Sequence, residues 1–161
     1  MSRRVTVQTT ASPDQWLQIA VRALARSDRT AVQIERLLDA KGASPSEIRT
    51  AIKRLTSLNY LDDAAFASRW IERRLTCMPM GRARLQEELL VTGCPEQIVQ
   101  ATVRAAYRKV SEQNLAQQVV TRAGRSSSVQ TVARLGRLLS QRGFDQDTIE
   151  TVIGSLLQEE S

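Results

Sequence analysis

A chain of 161 residues is long enough to bury a substantial core, either as one ordinary domain or as a few small modules. Hydrophobic residues make up 42% of it, yet only two Phe, two Tyr and two Trp are present, so the core must come from Leu, Ile, Val and Ala, which suits helices better than a β-sandwich. The formal charge of +6 favours an acidic or phosphate-bearing partner, and the absence of histidine removes the usual general base and metal ligand.

In chain order, residues 1–11 are short, polar and basic and read as a mobile arm. Ser12-Pro13-Asp14-Gln15 is a helix start: an N-cap, a proline at the first position, an acid in the first turn and Gln three residues after the cap. The helix it opens runs to about Ser27, with Leu17, Val21, Leu24 and Ala25 facing inward. Thr30 to Gln33 is a second capping box, for a helix with Ile34, Leu37 and Leu38 that stops at Gly42. Ser44-Pro45-Ser46-Glu47 is a third, for a helix with Ile48, Ile52, Leu55 and Leu58. Short turns between three such helices predict a small bundle.

The stretch Asn59 to Ala67 closes this bundle and opens the next. Asn59 tolerates the left-handed conformation that ends a helix. Tyr60 and Leu61 are the apolar anchors of the connection. The acidic pair Asp62-Asp63 resembles a metal or general-acid site, but an N-cap at Asp62 is the better reading. Phe66, Trp70 and Ile71 give the following helix its apolar stripe.

The bundle recurs. Gly42, Gly93 and Gly143 stand 51 and 50 residues apart. Four residues before each is a leucine (Leu38, Leu89, Leu139), and eight before are Ile34, Leu85 and Leu135. After each glycine, at the same three distances, come Ile48, Val99 and Ile149, then Ile52, Val103 and Ile153, then Leu55, Ala106 and Leu156. A glycine that ends a helix at positive φ, flanked by residues at helical spacing, accounts for the whole pattern. The residue after it (Ala43, Cys94, Phe144) plugs the turn, which makes Cys94 a small core hydrophobe. Cys77 and Cys94 lack the second ligand pair that zinc requires. The expected modules are 12–60, 61–110 and 111–161, stacked end to end because each exposes a face its neighbour covers. A helix of about 14 residues is roughly 21 Å long, so three bundles would extend on the order of 60 Å.

Charge is unevenly distributed. From Arg69 to Arg84 there are five arginines against one acid, Glu72; from Gln113 to Phe144 there are five arginines and no acid; from Asp145 to Ser161 there are five acids and no base. Arg69 and Arg73 share a polar face at i, i+4, whereas Arg74 falls nearer the apolar arc and reads as structural. Arg82 and Arg84 flank a flexible turn, Cys77 to Gly81. The candidate contacts are Arg69, Arg73, Arg82, Arg84, Arg122, Arg125, Arg134, Arg137 and Arg142, facing phosphate or protein acids. Trp16 and Trp70 could stack on bases but lie at helical spacing with other hydrophobes, so the core is their expected place. Each second-to-third helix turn has helix-turn-helix length, but the last third helix carries three acids and no base in residues 145–158, which phosphate would repel.

With those residues assembled, the chain resembles the RecX family of recombination regulators. The likeness lies in Tyr60-Leu61-Asp62-Asp63-x-x-Phe66-Ala67, in Gly81-x-Ala83-Arg84-Leu85-x-x-Glu88-Leu89-x-x-x-Gly93, and in Leu138-Leu139-x-x-Arg142-Gly143-Phe144-x-x-Asp147-x-Ile149. The chain departs from that pattern at Asn59, Arg82 and Gln86, where glycine, proline and a basic residue are common, and in its more apolar stretch Cys77 to Met80. The resemblance implies an all-α fold of three tandem three-helix repeats, elongated and curved. It implies a non-enzymatic regulator that binds the RecA–single-stranded DNA filament and restrains recombination and co-protease activity, with weak, sequence-blind binding of single-stranded DNA. No catalytic residue, metal or cofactor is expected. A monomer in the cytoplasm, with reduced thiols, fits the lack of a signal peptide and of a long apolar run. The alternative is a free-standing helix-turn-helix-type DNA-binding regulator. An enzyme has little support, because no glycine-rich phosphate loop or nucleophile–base pair is present.

Overall fold

The computed structural model describes residues 12–124 and 129–159; the expected arm, residues 1–11, lies outside them. The protein is all-α. Among the described residues the elements are α1 (Pro13–Arg26), α2 (Ala31–Ala40), α3 (Pro45–Ser57), α4 (Asp63–Cys77), α5 (Arg82–Val91), α6 (Glu96–Lys109), α7 (Glu112–Ala123), α8 (Val129–Gln141) and α9 (Gln146–Glu159).

Two of the three capping boxes form in full. The Gln33 N–H donates to the Thr30 hydroxyl oxygen and the Thr30 N–H donates back to the Gln33 amide, both at 3.3 Å. The Ser44 N–H donates to the Glu47 carboxylate at 2.7 Å, and the Glu47 N–H to the Ser44 hydroxyl at 3.4 Å. Thr30 is wholly buried, so its bonds are shielded from water. At Ser12 the helix does begin, with Pro13 inside it, but the serine side chain makes no capping bond. What ties α1 down is Trp16, whose indole N–H donates to the Glu47 carboxylate at 2.9 Å. Asp62 directly precedes α4.

The helix ends follow the repeat. Gly42, Gly93 and Gly143 have φ of 92°, 89° and 77°, and among the described residues Asn59 is the non-glycine residue at positive φ, 58°. The N–H groups of Ala43 and Phe144 turn back to the carbonyls of Leu38 and Leu139 at 3.0 and 3.2 Å, the closure of a Schellman turn. Ala43, Cys94 and Phe144 are all buried behind their turns, and the columns Ile34, Leu85, Leu135 and Leu38, Leu89, Leu139 have no exposed surface. Burial holds the Cys94 thiol neutral by pushing its pKa up, as befits a core residue.

Three side chains differ from the sequence reading. Ala25 is exposed, because the buried stripe of α1 is centred on Trp16 and Ala20, with Leu17, Val21 and Leu24 at its margin. Leu58 and Tyr60 are 52% and 53% exposed, although an inward anchor was expected of each. With Asn59 left-handed, the Tyr60 N–H is drawn back to the Leu55 carbonyl at 2.9 Å, and the chain reverses so that Leu61 takes the inward place.

Helices pack chiefly in threes: α1 with α2 and α3, α4 with α5 and α6, α7 with α8 and α9. The chain divides into two compact units, one ending at Asp62 and the other beginning at Asp63. The first unit has its own core, including Trp16, Ile34, Leu38 and Leu55. In the second, a single apolar cluster runs from Phe66 and Ile71 through Val103 and Val119 to Leu135 and Leu156, so two helical triplets share one interior. No helix among the described residues is long and apolar enough to cross a membrane.

Candidate polyanion interface

The turn between α4 and α5, flexible on the sequence reading, is held tightly. Pro79, Met80 and Gly81 are buried. The Gly81 N–H donates to the Arg142 carbonyl at 2.8 Å, the Arg142 guanidinium donates to the Pro79 carbonyl at 3.3 Å, and the Tyr107 hydroxyl donates to the Met80 carbonyl at 2.7 Å. Burial pushes the Tyr107 phenol up, which keeps it a proton donor at all ordinary pH values. Gly81 is needed here for closeness rather than for φ: a Cβ on it would run into the Gly143 carbonyl, and one on Gly143 would run into the Cβ and backbone of Arg84. Two glycines in register thus let the start of α5 seat against the turn between α8 and α9.

That seat fixes the arginines around it. With no side chain at Gly81 to cap α5, the carboxylate of Glu112, from the first turn of α7, accepts the Arg82 N–H at 2.8 Å. The Arg82 side chain folds toward the same carboxylate at 3.6 Å and lies over the Tyr107 ring, 5.2 Å from its centroid. Glu88 serves two guanidinium groups, Arg74 at 2.7 Å and Arg84 at 2.8 Å. The Arg74 bond is the main cause, and the Arg84 bond a smaller one, that hold the Glu88 carboxyl below the usual carboxylate range; Glu88 in turn raises the Arg74 pKa. Arg74 is therefore structural, as its place near the apolar arc implied. Beside this assembly lies a groove of about 590 Å³, lined on one side by Arg82 and Arg84 and on the other by Gln141, Phe144 and Asp145. Its charge is mixed, because Glu112 and Asp145 share it with the arginines.

The other candidate residues fall elsewhere in the same unit. Arg69 and Arg73 are exposed on α4; Arg69 is engaged within the chain, and Arg73 is without a side-chain partner among the described residues. Arg122 is exposed at the end of α7, and Arg137 is exposed on α8, both likewise unpartnered among the described residues. The Arg134 guanidinium donates to the Ala123 carbonyl at 3.2 Å, which brings it beside Arg122. Arg142 is half-buried and committed to Pro79, and Arg125 lies outside the described residues. Of the candidate arginines within the described residues, Arg69, Arg82, Arg84, Arg134 and Arg142 are engaged within the chain, while Arg73 on α4, Arg122 on α7 and Arg137 on α8 have no side-chain partner among those residues. Sequence reasoning missed Glu88 and Glu112 as their counter-ions. The spacing of Arg84 and Glu88 at i, i+4 would have shown the first; nothing local links Arg82 to a carboxylate thirty residues away. Trp16 is buried in the core of the first unit, and Trp70 is half-buried against that of the second. Among the described residues, no three His, Cys, Asp or Glu side chains gather as metal ligands.

Fold and surface define a class: an all-α protein of packed helical triplets with an arginine-rich exterior. No protein-family model matches the chain. A regulatory protein RecX from Chlorobaculum tepidum is 30% identical over 145 residues, spanning 90% of this chain and 90% of the relative. Another, from Mycobacterium leprae, is 29% identical over 147 residues, spanning 88% and 85%. The crystal structure of RecX from Lactobacillus salivarius shares the fold with a TM-score of 0.76 at 20% identity, over 89% of this chain and 96% of that one. The chain belongs to the RecX family of regulatory proteins.

Proposed function

We propose that this protein is a non-enzymatic regulator that binds the filament RecA forms on single-stranded DNA and restrains its recombinase and co-protease activities. Within this reading it acts as a monomer in the cytoplasm, in recombinational DNA repair, through helical modules at 12–60, 61–110 and 111–161. The observation that carries it is the pairing of RecX family membership with exposed, uncommitted guanidinium groups on Arg73, Arg122 and Arg137. Such groups suit the phosphates and protein acids of a nucleoprotein surface. The bound arginines Arg82 and Arg84 line the groove beside α5, and with Arg142 they present only part of their donors outward.

The test is fluorescence anisotropy of labelled protein against RecA filaments assembled with a non-hydrolysable nucleotide. Saturable, salt-sensitive binding at micromolar concentration, together with slowed RecA ATP hydrolysis, is the expected result. Absence of binding at low salt rejects the proposal. A free-standing DNA-binding regulator would instead prefer one duplex sequence in a gel shift without recombinase. The exposed acids Asp147 and Glu150 on α9 count against that alternative, because α9 occupies the recognition-helix position of its triplet.

A further inference from the structure

Arg84 is held by an acid of its own helix, Glu88, one turn on. Arg82 is held differently. Its counter-ion, Glu112, lies thirty residues away in the first turn of α7, and one carboxylate serves two groups of the same residue. Oε1 accepts the backbone N–H at 2.8 Å, and Oε2 faces the guanidinium Nε at 3.6 Å. The two contacts are unequal. The first is a short hydrogen bond that anchors the carboxylate at the start of α5; the second is a long ion pair. Their exposure is unequal too: 13% of the Glu112 side chain is exposed against 51% of the Arg82 side chain, which reaches the groove beside α5. An ion pair with one half-exposed partner stabilises a fold little, because water and salt screen it. What it does govern is whether the Arg82 charge is at the disposal of another molecule.

We infer that Glu112 is an internal brake on Arg82: its carboxylate occupies the guanidinium in the free protein, and an anionic group of the partner must displace it before Arg82 can take part in binding. The partner is that of the filament reading above, on which the inference rests. The exchange leaves α5 intact, because the Arg82 N–H belongs to the backbone and stays on the Glu112 carboxylate when the side chain swings away. The Tyr107 ring, 5.2 Å from the guanidinium, gives the retracted position a second hold. Asp145, across the groove, is already taken by the Thr148 N–H at 2.7 Å, so an incoming anion competes chiefly with Glu112.

Glu112→Gln keeps an oxygen for the Arg82 N–H and removes the charge, so it frees the guanidinium without uncapping α5. The first measurement needs no partner. The full chain is treated with phenylglyoxal, which modifies free guanidinium groups, and digested for mass spectrometry, with exposed, unpaired Arg73 as the internal standard. In the parent, Arg82 should react about threefold more slowly than Arg73, as one exposed ion pair implies, and in Glu112→Gln at about the same rate. The second is anisotropy against RecA filaments on single-stranded DNA. Glu112→Gln should bind about threefold tighter at low salt, with the gain fading as salt is raised. Adding Arg82→Gln to that variant should abolish the gain. Glu87→Gln removes the same charge from an exposed position on α5 that holds no arginine among the described residues, and should gain less.

Equal reactivity of Arg82 and Arg73 in the parent overturns the brake whether or not the variant folds. Unchanged or weaker filament binding by Glu112→Gln, a gain that survives Arg82→Gln, or an equal gain in Glu87→Gln overturns it as well. A parent that binds filaments beside a variant that gains nothing sinks the brake and keeps the regulator. If parent and variant both fail to bind, the regulator reading falls and the brake falls with it.

Discussion

The turns at Gly42 and Gly143 occupy the same column of the repeat, with the same hand of backbone and the same Schellman closure, yet they stand in different surroundings. A Cβ added at Gly42 would meet nothing within 4 Å, whereas at Gly143 it would strike Arg84. One glycine answers a conformational need only. The other answers that need and also lets a second helical triplet come close enough to exchange hydrogen bonds. A shared sequence motif therefore encodes how a helix ends, while the neighbours of the turn decide whether it also joins two modules.

Alanine substitution separates the two roles. Gly143→Ala combines left-handed strain of about 1–2 kcal/mol with overpacking of about 1–3 kcal/mol, so a loss on the order of 3 kcal/mol is expected in urea unfolding. Gly42→Ala should cost only the strain, about 1–2 kcal/mol. Equal losses at the two sites would mean that the Gly81–Gly143 seat contributes nothing to stability.

Tyr107→Phe probes the same seat from below. It leaves the Met80 carbonyl without its donor in a buried site and should cost about 1–2 kcal/mol, measured as a shift of the urea midpoint at unchanged m-value. A larger cost than Gly42→Ala would mark the second unit as the more tightly specified.

The smallest expected effect is in pH dependence. Glu88 has a folded pKa below its ordinary value of 4.5, so the unfolded chain binds its proton first as pH falls. Its stabilising contribution is complete above that ordinary value, declines as pH falls below it, and is gone once pH has passed the depressed folded pKa. Glu88→Gln should therefore lower the urea midpoint near neutral pH and converge with the parent at strongly acid pH. Parallel curves down to the lowest pH would show that Arg74 and Arg84 gain nothing from the carboxylate.

Much of the fold was legible. Capping boxes at Thr30 and Ser44, left-handed ends at Gly42, Asn59 and Gly143, and the buried leucine columns all follow from local chemistry and helical spacing. The features that were not legible depend on distant partners. Nothing in Pro79-Met80-Gly81 reveals that Arg142 and Tyr107 will hold it, so a proline–glycine turn between arginines reads as flexible. Tyr60 looked like an anchor because it is aromatic, but the hand of Asn59 decides which of two adjacent hydrophobes turns inward. The candidate interface was read as a list of charges, and the structure sorts that list by counter-ions: Glu88 and Glu112 claim Arg84 and Arg82, while Arg73, Arg122 and Arg137 are exposed with no side-chain partner among the described residues.

The continuous apolar cluster from Phe66 to Leu156 limits where the chain can be cut. Three helical triplets can be counted among the described residues, but the second and third are joined by one interior and do not separate cleanly. A recombination event or protease cut between Val110 and Ser111 would strip Tyr107 from Leu135-bearing neighbours and open both halves to water. A division of the chain that leaves both interiors whole falls between Asp62 and Asp63, with the last two triplets kept together.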